Sequence, residues 1–168
     1  MSRLARFRAR IRRFVRRPFG QKSLVLEAYA LLFVARMAVL ALPFKRVLAW
    51  SGVQGVEMEA VEVDRRVLQQ VYWAITTASR YGWWNCLCLT QALAAKAMLR
   101  RRGLRSTMYL GLTRPGSTKF SAHAWLRCGQ TIITGAEGRR QFTVIAKFTE
   151  LAGPAESSRV ESVYADSP

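Results

Sequence analysis

The chain has a single histidine, His123, three cysteines, and only ten acidic residues against 27 lysines and arginines. Three thiols are an odd number in a chain too large to need a disulfide framework, which favours a reducing compartment and cysteines kept for packing or reactivity. A zinc site built on Cys86 and Cys88 would find only His123 and Cys128 as further soft or imidazole ligands, so no metal is expected. The shortage of acid leaves a net charge of +17. Such a field attracts nucleic acid, an anionic membrane face or an acidic protein alike, and charge alone does not choose among them. No zinc-finger spacing, RNP motif or glycine-rich phosphate loop accompanies it, so nucleic-acid binding is not expected. With 51% hydrophobic and 22% charged residues the chain belongs to the folded class. Its 168 residues suffice for one core, with little left for a second domain. No internal repeat is present.

Much of the charge is local. Residues 1–22 contain eight arginines and Lys22 with no acid, and Leu4, Phe7, Ile11, Phe14 and Val15 recur among the arginines at helical spacing, giving a basic amphipathic arm. Pro18 and Gly20 are expected to end it. Residues 23–50 form an apolar helical docking segment: Ser23 to Leu42 reads as a helix apolar nearly all round and stopped by Pro43, and Phe44 to Trp50 extends the hairpin. Glu27 and Arg36 would be costly in lipid, so a docking helix is preferred to a membrane span, with peripheral membrane contact as the lesser reading. They also interrupt the apolar run after Arg16 and Arg17, and no small-residue cleavage site follows, so export is not expected and the protein is placed in the cytoplasm.

A domain over residues 56–150 follows. A short acidic patch with Glu57, Glu59, Glu62 and Asp64 precedes a helix from about Val61 to Arg80, carrying Val63, Val67, Leu68, Val71, Tyr72, Ile75 and Ala78 on one broad face. In the stretch "WWNCLCLTQALAAKAMLRRRG", Asn85 is the expected N-cap, with Cys86 and Cys88 in the first turn, and Gly103 ends the helix after three arginines suited to its negative end. The pattern then switches to "STMYLGLT", "SAHAWLRC", "QTIITG" and "QFTVIAKF", short alternating or β-branched runs separated by turn residues, which predict an antiparallel sheet. Residues 151–168 read as a tail. Helices first and strands afterwards indicate an α+β fold.

Cys88, a few residues into its helix, would lie among backbone N–H groups without intrahelical partners, and these favour a thiolate. Two positions on a helix span about 200 degrees, so Cys86 does not share the face of Cys88. The Cys88 face continues through Ala92, Ala95 and Leu99, small enough at the alanines for close approach to a sheet. On the strand, His123, Trp125 and Arg127 share one face, while Ala122, Ala124, Leu126 and Cys128 share the other. A Cys–His pair in contact would support nucleophilic attack on an acyl carbon. Three packing thiols and a lone hydrogen-bonded histidine remain the alternative.

"CLTQALAAKAMLRRRGLRSTMYLGLT" followed by "FSAHAWLRCGQTIITG" resembles the lasso peptide biosynthesis B2 proteins, stand-alone leader peptidases with a transglutaminase-like (papain-related) cysteine protease core. The likeness is tight over residues 83–135 and loose over 23–148. It implies a nucleophile helix packed on a small antiparallel sheet with N-terminal helices, and an activity that removes the leader from a ribosomally made lasso precursor. The family nucleophile maps to Cys88 and the family histidine to His123. The third member, an aspartate, falls at Gly135, which has no carboxylate. Glu137, a backbone carbonyl or polar side chain, or a bare Cys–His dyad are the three ways to fill its place, with Glu137 the expected orienting residue. The backbone N–H of Cys88 is the expected oxyanion donor, with Trp84 or Asn85 as a second. The resemblance implies no cofactor. It implies three partners: a B1-type leader-binding protein (RRE domain), the precursor leader and an asparagine-synthetase-like cyclase. Acyl transfer to an amine and a non-enzymatic basic binding module stand as competing functions.

Overall fold

The computed structural model describes residues 19–55, 63–81, 87–113 and 120–150. The basic arm up to residue 18, Glu57, Glu59 and Glu62, the Trp84, Asn85 and Cys86 positions, and the tail all lie outside the described residues.

Apolar periodicity builds the helical layer. Helix α1 spans Phe19–Ala41 and buries Val25, Ala28, Leu32, Ala35 and Ala38, a stripe at spacings of three and four. After Pro43, which cannot continue a helix, α2 covers Phe44–Ala49 and buries Val47. Helix α3, Arg65–Tyr81, buries Leu68, Val71, Ala74, Ile75 and Ala78. Helix α4, Cys88–Arg100, is the central one and buries Ala92, Ala94, Ala95, Met98 and Leu99. Its alanines let neighbouring elements approach, and α1, α3 and strand β3 all pack against it.

The sheet is five-stranded in the order β1–β5–β2–β3–β4. Its strands are β1 (Val53–Gln54), β2 (Thr107–Thr113), β3 (Ala122–Cys128), β4 (Thr131–Thr134) and β5 (Phe142–Thr149), and every neighbouring pair is antiparallel. One face, carrying Met108, Ala124, Leu126, Cys128, Ile133 and Phe148, joins the helices in a single core cluster. Alternation sends His123, Trp125 and Arg127 to the other face, where Trp125 stacks on Tyr109 with ring centroids 5.6 Å apart. The α+β architecture is therefore an N-terminal helical layer on a small antiparallel sheet, with α4 between them.

Several boundaries differ from expectation for local physical reasons. Helix α1 begins at Phe19 rather than Ser23, so Gly20 lies inside it; Gly20 costs a helix about 1 kcal/mol but does not break it. Helix α3 starts at Arg65, because the Asp64 carboxylate accepts the Arg66 N–H at 2.8 Å and so supplies the N-cap. Tyr72 falls off its buried face and is 54% exposed. The N-cap of α4 is Leu87, not Asn85: the Leu87 backbone is extended and its carbonyl accepts the Gln91 N–H at 3.1 Å. Cys88 is consequently the first helical residue. The helix closes earlier than Arg102, with bonds from the Gly103 N–H to the Arg100 carbonyl and from the Leu104 N–H to the Leu99 carbonyl. Gly103 at φ +69° makes that reversal in the left-handed region that other residues rarely adopt. Residues read as a mere break, between Gly52 and Gly55, instead form β1 on the edge of β5.

Candidate active site

The first three N–H groups of a helix have no acceptor within it. At α4 these belong to Cys88, Leu89 and Thr90, and Leu87 has no side-chain acceptor to cap them. The first turn contains no acid either, so nothing in it opposes negative charge. Thr90 turns its hydroxyl back to the Leu87 carbonyl at 2.7 Å, which steadies the turn without consuming an N–H. Cys88, partly exposed, thus occupies a helix end whose free N–H groups suit a developing oxyanion.

His123 is the second residue of β3 and lies opposite Gly111 of β2. The hairpin is closed beside it by Thr113, whose N–H and Oγ1 both donate to the Ser121 carbonyl, at 2.9 and 2.7 Å. A Cβ at Gly111 would meet the Phe142 Cβ at 2.9 Å and the Trp125 ring at 3.0 Å. The missing side chain therefore makes room for the aromatic wall around the imidazole, which stacks on Phe142 at 5.0 Å and on Trp125 at 5.9 Å. Arg127 and Lys147 lie over the far end of that wall, 5.5 and 5.8 Å from the Tyr109 ring.

The ring is oriented by a backbone group. His123 Nε2 lies 2.9 Å from the Gly135 carbonyl oxygen, which can only accept, so Nε2 carries a proton. In the neutral imidazole the free lone pair then belongs to Nδ1, which is the nitrogen able to take a thiol proton. Gly135, the position of the absent aspartate, follows β4 at φ +70°, and a Cβ there would sit 2.5 Å from the Ala124 carbonyl and 2.8 Å from the Trp125 Cβ. No side chain fits, and the same turn aims the carbonyl at the imidazole. Glu137 is exposed in the turn beyond it; the hydrogen bond described for the imidazole goes to Gly135.

Cys88 and His123 sit at the starts of two packed elements, α4 and β3, with no hydrogen bond between them among the described residues. His123 lies on the sheet face away from the helical core. Cys128 is remote from this arrangement: it is buried in the core and donates to the Arg105 carbonyl at 3.2 Å.

Sequence reasoning missed Lys96, Gly111 and Phe142. Lys96, only 3% exposed, donates to the Ser106 and Phe148 carbonyls at 2.6 and 3.5 Å, tying α4 to the start of β2 and to β5. Burial pushes its ammonium down from 10.5 to about 8, with Glu150 countering and Arg100 adding to the shift. It lies on the turn after Ala92 and points away from the Cys88 end. A glycine inside a strand pattern marks close approach of other groups, which was the available signal for Gly111.

The profile described as the Transglutaminase-like superfamily matches residues 31–147. No curated protein and no solved structure matches the chain.

Proposed function

The chain belongs to the transglutaminase-like superfamily, and on that premise we propose that it is a cysteine peptidase that removes the leader from a ribosomally synthesised lasso peptide precursor. The observation that carries the chemistry is the His123 ring held by the Gly135 carbonyl at 2.9 Å, which leaves Nδ1 as the base. The lasso assignment rests on the motif resemblance over residues 83–135.

In this reading the Cys88 thiol gives its proton to His123 Nδ1, and the thiolate attacks the scissile carbonyl carbon. Negative charge on the oxygen is met by the Cys88 N–H at the uncapped helix end. The C–N bond breaks as the imidazolium protonates the leaving amine, and a thioester remains on Cys88. Water then attacks the thioester, its proton passing to His123, and the carboxylic acid and free thiol are released. A B1-type protein presents the leader, an asparagine-synthetase-like cyclase works downstream, and the reaction takes place in the cytoplasm. Transfer to an amine differs only in the second nucleophile.

The deciding experiment incubates the full chain with the B1-type protein and a precursor and measures product masses. Hydrolysed leader is expected from the wild type, and none from Cys88→Ala or His123→Ala when both are folded. A Cys86→Ala variant is expected to retain substantial activity; equal loss in both cysteine variants sinks the nucleophile assignment. A stable amide-linked product in place of hydrolysed leader would establish acyl transfer instead.

A further inference from the structure

Helix α1 buries only one side. Its core stripe, including Ala28 and Leu32 at 0% exposure, faces α3 and α4, and Glu27 is held from the same body by Arg102 at 2.7 Å and Arg101 at 3.4 Å. The other side carries Leu26, Phe33, Val34, Met37 and Leu40, 46 to 70% exposed. Phe44 and Trp50, in and just after α2, are also exposed, at 54 and 62%. A helix of 23 residues is about 34 Å long, and α1 is apolar enough by composition to cross a membrane. Spanning would tear the core stripe and Glu27 from their partners, whereas lying in the plane of a bilayer would not.

We infer that this outer face of α1 docks in the plane of an anionic membrane surface, with the basic arm gripping the headgroups. The side chains of the face itself choose a lipid surface over a protein. A protein interface carries about one hydrogen bond per 100–200 Å², yet among the exposed residues of α1 the one polar side chain is Ser23, whose hydroxyl donates to the Gly20 carbonyl at 2.9 Å. A face that asks for no hydrogen bonds suits hydrocarbon. The charge completes the match: the first 50 residues contain a single acid, Glu27, already paired, against the arm's eight arginines and Lys22, Arg36, Lys45 and Arg46. An apolar helical face beside a cationic segment is the pattern of interfacial anchoring, and clustered bases select anionic headgroups. Trp50, 62% exposed, is an amphipathic ring of the kind that prefers the interface.

Flotation of the full chain with vesicles of phosphatidylcholine alone, and with 30% phosphatidylglycerol, tests this. Binding is expected to the anionic vesicles only. The triple variant Leu26→Gln, Phe33→Gln, Leu40→Gln changes exposed positions, and its partition is expected to fall at least tenfold at an unchanged thermal midpoint. Replacing Arg3, Arg6, Arg8 and Arg10 by Gln is expected to remove the anionic preference. The inference is overturned if the full chain stays with the soluble fraction. It is also overturned if the triple variant binds as well as wild type, which would leave adsorption by the arm alone, or if the face is covered by a second copy or an acidic protein that excludes vesicles. Leader cleavage in vesicle-free buffer tests the catalytic reading separately, so either can fail alone.

Discussion

At Gly135 one backbone turn does two things: it points a carbonyl at His123 Nε2 and it closes the position to any side chain. Restoring the family carboxylate is therefore expected to fail. Gly135→Asp should lose at least about 2 kcal/mol through left-handed strain and the collision with Ala124, read as a lower urea midpoint, with no gain in cleavage rate. Glu137→Gln, altering an exposed side chain, should leave kcat/KM within about twofold; a larger drop, with kcat falling and the fold intact, would return the orienting role to Glu137. Lys96 makes a separate prediction. Its ammonium is pushed down to about 8 by burial, so between about pH 8 and the ordinary lysine range the unfolded chain holds a proton that the folded one has released. Stability from this residue therefore rises with pH across that window. Comparing wild type with Lys96→Met by urea unfolding, the difference should move in favour of wild type by on the order of 1–3 kcal/mol from pH 7.5 to 10. A flat difference would mean that Lys96 is not desolvated in solution.

Among the elements, α4 carries most of the organisation. Its alanine face was readable from spacing, since Ala92, Ala95 and Leu99 recur on one side and all three are buried. Its start was not, because Leu87 caps through backbone conformation alone and carries no side-chain signature. At its other end the Arg102 guanidinium donates to the Met98 carbonyl at 2.7 Å while pairing with Glu27, so one residue both caps α4 and fastens α1. Arg101 bonds the same carboxylate but is 67% exposed, where solvent screening leaves little. Double-mutant cycles should show the contrast: coupling of Glu27→Gln with Arg102→Gln of about 1–2 kcal/mol, and with Arg101→Gln below about 0.5 kcal/mol. Equal couplings would show that the arginines share the carboxylate evenly.

At the scale of the whole molecule, α1 belongs to the folded body. Leu32, fully buried, should cost about 2–5 kcal/mol as Leu32→Ala, whereas removal of residues 1–17 should leave the thermal midpoint within a few degrees. Loss of the cooperative transition on that short deletion would show that the arm is part of the core. One helix thus faces the folded body on one side and, by the docking inference, lipid on the other. This accounts for a helix that is apolar all round in a chain with a net charge of +17.

What the sequence by itself determined was local and periodic: four of the five strands within a residue or so, the α+β order, the buried face of α4, and the separation of His123 from Cys128 on opposite sides of β3. These follow from side-chain alternation, and alternation is written in the residue order. The choice of Cys88 and His123 as candidates came from their surrounding motif. What only the tertiary structure decided were the contacts between groups that every residue has or that lie far apart in the chain: the Gly135 carbonyl on the imidazole, the pairing of Glu27 with Arg102, and the burial of Lys96 under two strand carbonyls. A carbonyl is the same at every position, so register and turn geometry alone select the one that meets His123. Whether an apolar side chain ends in the core or at the surface depends likewise on which helix faces have neighbours, and for α1 the fold supplies them on one side.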